Sequence, residues 1–182
     1  MIDTVRVTPL KASDCDVISA SFGAIGWNKP SSTYLRYLDE QNRGLRVVLI
    51  AWSGATIAGY VTLTWDSDYG PLKDEGIPEI QDLNVLPRFR RNGIGSVLLD
   101  EVERIASTRG TDVGIAVGLH PGYNDAQRMY AKRGYVPDGR GLTYRNEFIR
   151  EGAVVVVDDD LVLHFRRKLP VRSDLRPDAI RG

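Results

Sequence analysis

With one cysteine, Cys15, the chain has no pair for an internal disulfide, which sets aside the disulfide-stapled secreted folds. No window approaches the roughly 18 consecutive apolar residues of a membrane-spanning helix. Neither charge sign is in excess: Lys plus Arg total 24 and Asp plus Glu total 24. A protein that grips nucleic acid through its phosphates carries a basic surplus, so that class is excluded. Only two histidines are present, and no His/Cys/Asp cluster has ligand spacing, so no metal is expected. Residues 1–14 lack a basic stretch followed by an apolar one and do not read as a secretory signal. What remains is a cytoplasmic globular protein in which 182 residues, 42% of them apolar, suffice for one core.

The pattern along the chain alternates between strand and helix. Val5–Val7 is a short alternating strand closed by Pro9, and Ser13-Asp14 caps a short amphipathic helix carrying Val17, Ile18 and Phe22. After a Gly/Pro-bearing loop, 23–30, a second helix runs from about Ser32 to Gln41, with Gly44 just beyond it. Two β runs, Leu45–Trp52 and Thr56–Trp65, flank the hairpin dipeptide Ser53-Gly54. Residues 66–76 form a polar, acidic loop, and Ile77–Val85 reads as a strand. Ile94–Ala106 is the clearest helix, with Ile94, Leu98, Val102 and Ile105 in one stripe. A small-residue strand follows at Asp112–Leu119, then a helix at Ala126–Lys132 ending at Gly134. Ala153–Val157 and Leu161–Phe165, joined by Asp158-Asp159-Asp160, predict a terminal hairpin whose valines offer a homodimer surface. From Pro170 the chain is a polar tail, giving a domain over 1–169 and a tail over 170–182. The expected architecture is α/β (α+β): a mixed central sheet of about six or seven strands flanked by helices.

The segment Val85 to Ser96 carries the chemistry. A strand ends at Val85, Pro87 stops its ladder, and Gly93 and Gly95 stand where the next helix begins. Free N–H groups at a helix start, with the positive end of its dipole, bind anionic oxygens. Arg90 and Arg91 add charge beside them. No Gly-Lys-Ser/Thr follows and the third glycine of a dinucleotide fingerprint is missing, so neither of those phosphate-binding motifs applies.

Val85-x-Pro87-x-x-Arg90, continuing as Arg90-x-x-Gly93-x-Gly95, resembles in full the acetyl-CoA signature of the GNAT acetyltransferases. Downstream, Asn124-Asp-Ala126, Tyr130, Gly134 and Tyr135 are similar to the family's second motif, with one residue fewer between Asn and Ala. Together the two cover about residues 79–136. The resemblance implies a GNAT fold with a mostly antiparallel sheet, and acetyl-CoA as co-substrate with no metal. It implies coenzyme contacts from Leu83, Asn84, Val85, Arg90, Arg91, Asn92, Gly93, Ile94, Gly95, Ser96, Asn124 and Tyr130. Tyr130 matches the family's general acid, and a main-chain N–H near Leu83–Val85 is placed to polarise the thioester carbonyl.

An amine of pKa about 10.4 must lose a proton before it attacks. Gln81 stands where some members carry a glutamate, leaving Asp82 and Glu79 as candidate bases, which strand alternation puts on opposite faces. By the resemblance, the acceptor wall falls on the loops holding Trp27, Tyr34, Trp65 and Asp66. The acidic run Asp66, Asp68, Asp74 suits a small cationic amine. A protein or peptide N-acetyltransferase and a CoA-binding sensor that has lost catalysis are the alternatives. Cys15 reads as a packing residue, His164 as a surface or core residue of the last strand, while His120 lies near the expected cleft.

Overall fold

The computed structural model describes residues 4–170; the expected tail lies outside them apart from Pro170. Eight strands form one sheet in the order β1-β2-β3-β4-β5-β8-β6-β7. They are β1 (Val5–Pro9), β2 (Arg46–Ser53), β3 (Thr56–Thr64), β4 (Glu79–Val85), β5 (Asp112–Gly118), β6 (Val136–Tyr144), β7 (Glu147–Phe148) and β8 (Leu161–Lys168). Every neighbouring pair is antiparallel except β4 and β5. The mixed, mostly antiparallel sheet is the one expected, with one strand more than the six or seven anticipated.

Helices α1 (Cys15–Gly23) and α2 (Ser31–Asn42) cover one face; α4 (Ile94–Ala106) and α5 (Asn124–Lys132) cover the other. The bounds of α4 are those its periodicity predicts. It buries Ile94, Leu98, Leu99 and Val102 against the sheet, worth about 6–12 kcal/mol by transfer of four aliphatic side chains. Tyr34, Tyr37, Ile18 and Phe22 pack the opposite face against Val48, Ile50 and Tyr60. Among the described residues, no helix is long and apolar enough to cross a membrane.

Two expectations are corrected. The acidic loop 66–76 contains a short helix, α3 (Gly70–Asp74), because Leu72 finds a buried seat above Gly114, where any Cβ would fall 2.2 Å from its methyl. The terminal hairpin is not formed by 153–157. Among the described residues none of them joins a strand ladder, and Val154, Val156 and Val157 are exposed. Instead β8 lies between β5 and β6, pairing with β6 from Val136↔Arg166 to Tyr144↔Leu161. Pro137, Gly139 and Gly141 hide β6 in the sequence, since they are turn residues; here they occupy an irregularity between Pro137 and Leu142.

Candidate active site

β4 is a central strand, yet only its first two residues are buried; Gln81 to Val85 are all half-exposed. The cause is a splay. β4 and β5 pair in parallel at Glu79↔Gly114 and Ile80↔Ile115 only. Beyond Ile80 the facing edges part, leaving a slot in the middle of the sheet. On its other side β4 follows β3 through a bulge, Thr62↔Gln81 but Tyr60↔Asn84. Asp82 takes the strained φ of +50° there, and the Asn84 side-chain amide donates to the Asp82 carbonyl at 3.0 Å. Gly59 permits this approach: a Cβ at 59 would stand 2.4 Å from the Asn84 carbonyl oxygen.

The bulge reverses the expectation for the two carboxylates. With one extra residue in the strand, Glu79, Gln81 and Asp82 all lie on the sheet face that carries α1 and α2. The Tyr37 hydroxyl of α2 donates to Asp82 Oδ2, while Gln81 bonds both Arg46 of β2 and Glu79. Their positions nevertheless differ. Glu79 is buried, accepts from Ser67 Oγ at 2.8 Å and from Gln81 Nε2 at 3.0 Å, and its pKa is raised by desolvation. Asp82 keeps a third of its side chain exposed beside the slot, with Lys29 Nζ 3.9 Å from its Oδ1.

At the end of β4 the chain turns through Pro87–Phe89 into α4. Gly93 caps that helix at φ +79°, and no side chain caps it. A non-glycine residue holds the left-handed region only at a cost, so Gly93 is required by the turn. Arg91 also sits at φ +60°. The first carbonyl to receive an α4 hydrogen bond is that of Gly93, from Val97 at 3.0 Å. The N–H groups from Arg91 to Ser96 therefore precede the helical ladder, at the positively polarised end of α4. One detail departs from the sequence reading. Arg90 turns back, donating to the Val85 carbonyl at 3.1 Å with its guanidinium 5.6 Å from the Trp27 ring. A Cβ at Gly95 would meet Met129 Sδ at 3.5 Å, an ordinary contact facing α5.

α5 borders the slot on the sheet face that it shares with α4. Tyr130 is 5% exposed, packs on Tyr135 at 5.8 Å and has no hydroxyl partner among the described residues. Desolvation holds its pKa well above the ordinary phenol value. Glu103 of α4 fixes α5 by accepting from Arg133 Nη2 at 2.7 Å, the Tyr135 hydroxyl at 2.9 Å and Arg167. Asn124 is exposed at the start of α5. Gln127, which the sequence reading passed over, donates to the last carbonyl of β5, Gly118, at 2.8 Å.

Across the slot from Asp82, His120, Tyr123 and Asp159 form a second polar group. His120 Nδ1 accepts from the Gly122 N–H at 3.1 Å, so its Nε2 carries the proton donated to Asp159 Oδ1 at 2.8 Å. The Tyr123 hydroxyl donates to the same oxygen at 3.0 Å. These bonds, His120's first, lower the Asp159 pKa, whereas burial and Asp159 push Tyr123 up to about 12.

The expected acceptor residues are dispersed. Trp27 stacks on Phe22 at 5.6 Å near the slot. Tyr34 is fully buried behind Tyr60 and Tyr37, and burial pushes its pKa up to about 12. Trp65 lies under Arg109 at 4.0 Å, and Asp66 pairs with Lys73 at 3.2 Å. Both stand at the end of β3 that pairs with the closed end of β4, away from Val85. Lys29, Tyr37 and Asp82 form the polar face instead, with Lys29 Nζ 5.6 Å above the Tyr60 ring.

A parallel pair that parts after two residues, a bulge beside it and a helix N-terminus without a side-chain cap therefore lie along one strand and the turn that follows it. The chain belongs to the acetyltransferase (GNAT) family, whose model matches residues 15–135. Among solved structures it resembles an N-acetyltransferase from Staphylococcus aureus Mu50, with a TM-score of 0.69 at 14% identity over 92% of this chain and 100% of that one. It also resembles yncA of Salmonella typhimurium, solved with its cofactor acetyl-CoA, with a TM-score of 0.66 at 14% identity over 97% and 99%. A third is a ribosomal-protein-alanine N-acetyltransferase from Brucella melitensis, with a TM-score of 0.66 at 15% identity over 90% and 99%. These likenesses are of fold. No curated protein matches the sequence.

Proposed function

We propose that the chain transfers the acetyl group of acetyl-CoA directly to the primary amine of a small cationic molecule held with it in a ternary complex. The observation that carries this reading is the internal ammonium of Lys29, seated 3.9 Å from Asp82 Oδ1 and 5.6 Å above the Tyr60 ring on the face of β4 beside the slot. A carboxylate and an aromatic face together bind an alkylammonium ion, and Lys29 marks where one fits.

Acetyl-CoA, when bound, supplies an activated acyl thioester. The amides from Arg91 to Ser96 hold its diphosphate, and the open edges of β4 and β5 hold the pantetheine arm. A main-chain N–H in the stretch from Leu83 to Val85 stabilises the charge developing on the carbonyl oxygen. Asp82 takes the proton of the acceptor ammonium, directly or through one water, which frees the nitrogen lone pair. Its Tyr37 hydrogen bond fixes the carboxylate for that task. Glu79, enclosed by Ser67 and Gln81, has no opening toward the acceptor. Tyr130, protonated throughout the working range because burial raises its pKa, gives its proton to the departing sulfur.

The test is release of thiol from acetyl-CoA across a panel of diamines, amino sugars, amino acids and peptides, with thermal stabilisation by CoA measured alongside. Cationic small amines are expected to give the highest kcat/KM. Preference for peptides transfers the reading to protein N-acetylation, and CoA binding without turnover of any amine supports a sensor.

A further inference from the structure

The chain has five lysines: Lys11, Lys29, Lys73, Lys132 and Lys168. Four are exposed; Lys29 alone is packed, with a quarter of its side chain accessible. Its main chain is fixed on both sides, the N–H donating to the Trp27 carbonyl at 2.9 Å and the carbonyl accepting from Ser19 Oγ at 2.9 Å. Pro30, in extended backbone, then caps α2. The side chain therefore runs inward from a fixed root, and its ammonium ends against Asp82 and the Tyr60 ring. Asp82 immediately precedes the β4 stretch that lines the slot. An ion pair alone explains neither the inward course nor the choice of partner, since a pair this exposed contributes at most about 1 kcal/mol.

We propose that Lys29 is an acceptor in its own right: without a competing amine, the chain acetylates Lys29 Nζ in cis from acetyl-CoA bound to the same molecule. The inference rests on the transferase reading and names a substrate for the same site. The Lys29 ammonium first gives one proton to Asp82. The neutral nitrogen attacks the thioester carbon; a C–N bond forms, the C–S bond breaks, and the sulfur leaves with the bonding pair. Tyr130 protonates that sulfur to give the CoA thiol and is reprotonated, through solvent, by the second proton leaving nitrogen. The products are Nε-acetyl-Lys29, free CoA and one proton released from Asp82 to solvent. Tethering replaces a bimolecular encounter, so even a geometry short of the best has a large effective concentration. The neutral amide no longer pairs with Asp82, leaving that carboxylate to an external cation.

The experiment incubates the full chain with acetyl-CoA and no amine, then reads intact mass and acetylated peptides against time. Expected is a gain of one acetyl group, about 42 Da, at Lys29. Its first-order rate should not change over a tenfold range of protein concentration. A saturating small amine should suppress it, and Tyr130→Phe should slow it at least about tenfold. In Lys29→Arg, with folding checked by thermal stabilisation with CoA, the label should disappear. Label spread over Lys11, Lys73, Lys132 and Lys168, or an equal rate in Tyr130→Phe, would mean solvent chemistry and overturn the proposal. A rate rising with protein concentration would overturn its cis character. No label from a protein that turns over a small amine defeats the proposal alone; no label, no turnover and no CoA stabilisation defeats the transferase reading beneath it.

Discussion

Replacing Asp82 by Asn removes one negative charge from the acceptor face and keeps the size of the side chain and an oxygen for the Tyr37 hydroxyl. Its stability cost follows from the Lys29 pair. At 3.9 Å the Coulomb attraction is about 4 kcal/mol at an effective dielectric of about 20. The two side chains are 25% and 32% exposed, so screening and side-chain entropy reduce the net value to about 0.2–1 kcal/mol. For a domain of this size the thermal midpoint should fall by no more than about 4 °C. Its catalytic cost is far larger if Asp82 takes the amine proton. Loss of a positioned base costs about 100- to 10,000-fold in kcat/KM, or about 3–5 kcal/mol of transition-state free energy. Steady-state kinetics on the best amine of the panel, differential scanning fluorimetry and calorimetric titration of CoA give the three readouts. Expected are a deep loss of kcat/KM, a small thermal shift and a CoA affinity within about twofold of the parent. Activity within about threefold of the parent, or a loss no greater than the lost stability, would remove Asp82 from the chemistry.

Tyr130→Phe should lower kcat by about 10- to 100-fold while KM for acetyl-CoA stays near its starting value; stopped-flow thiol detection separates the two. Gly59→Ala drives a methyl against the backbone of Asn84 and Val85, at 2.4 and 3.1 Å. It should cost about 1–3 kcal/mol and weaken CoA binding, read by thermal denaturation and calorimetry, because β4 must shift at its bulge. His164, 1% exposed and stacked on Tyr69 at 3.5 Å, has its pKa lowered by burial to about 4. An unfolded histidine titrates near about 6.5, so the unfolded chain takes up that proton first. The stability from keeping His164 neutral is thus complete above that value and falls as pH drops toward about 4, by about 2 kcal/mol between about pH 6.5 and 5. Glu79 works in the opposite sense: its raised folded pKa favours the folded state at low pH and loses that advantage as pH rises through it. Urea denaturation at pH 7 and 5 should therefore show a shallower acid-side loss in His164→Gln than in the parent; equal slopes would refute the histidine's part.

Where a feature depends on residues close in sequence, the pattern disclosed it. The α4 stripe repeats at helical spacing within 13 residues, and Gly93 at its head is demanded by a local backbone angle. Where long-range pairing decides, the pattern misled. Four consecutive valines have strand propensity, yet β8 took Val136–Tyr144 as its partner despite two glycines and a proline, because register and burial outweigh propensity. Trp65 and Asp66 have the right residue types for an acceptor wall and the wrong end of the strand.

The amino-acid order by itself determined the turn from β4 into α4, the helix it opens and the tyrosine on α5, since steric and hydrogen-bonding rules acting over a few residues suffice for each. Only the tertiary structure decided that Glu79 and Asp82 share a face, that one of them is enclosed and the other open, and that Lys29 reaches Asp82. Those outcomes depend on a bulge forced by pairing with β3 and on a loop held against a strand more than fifty residues away, and no local rule encodes either.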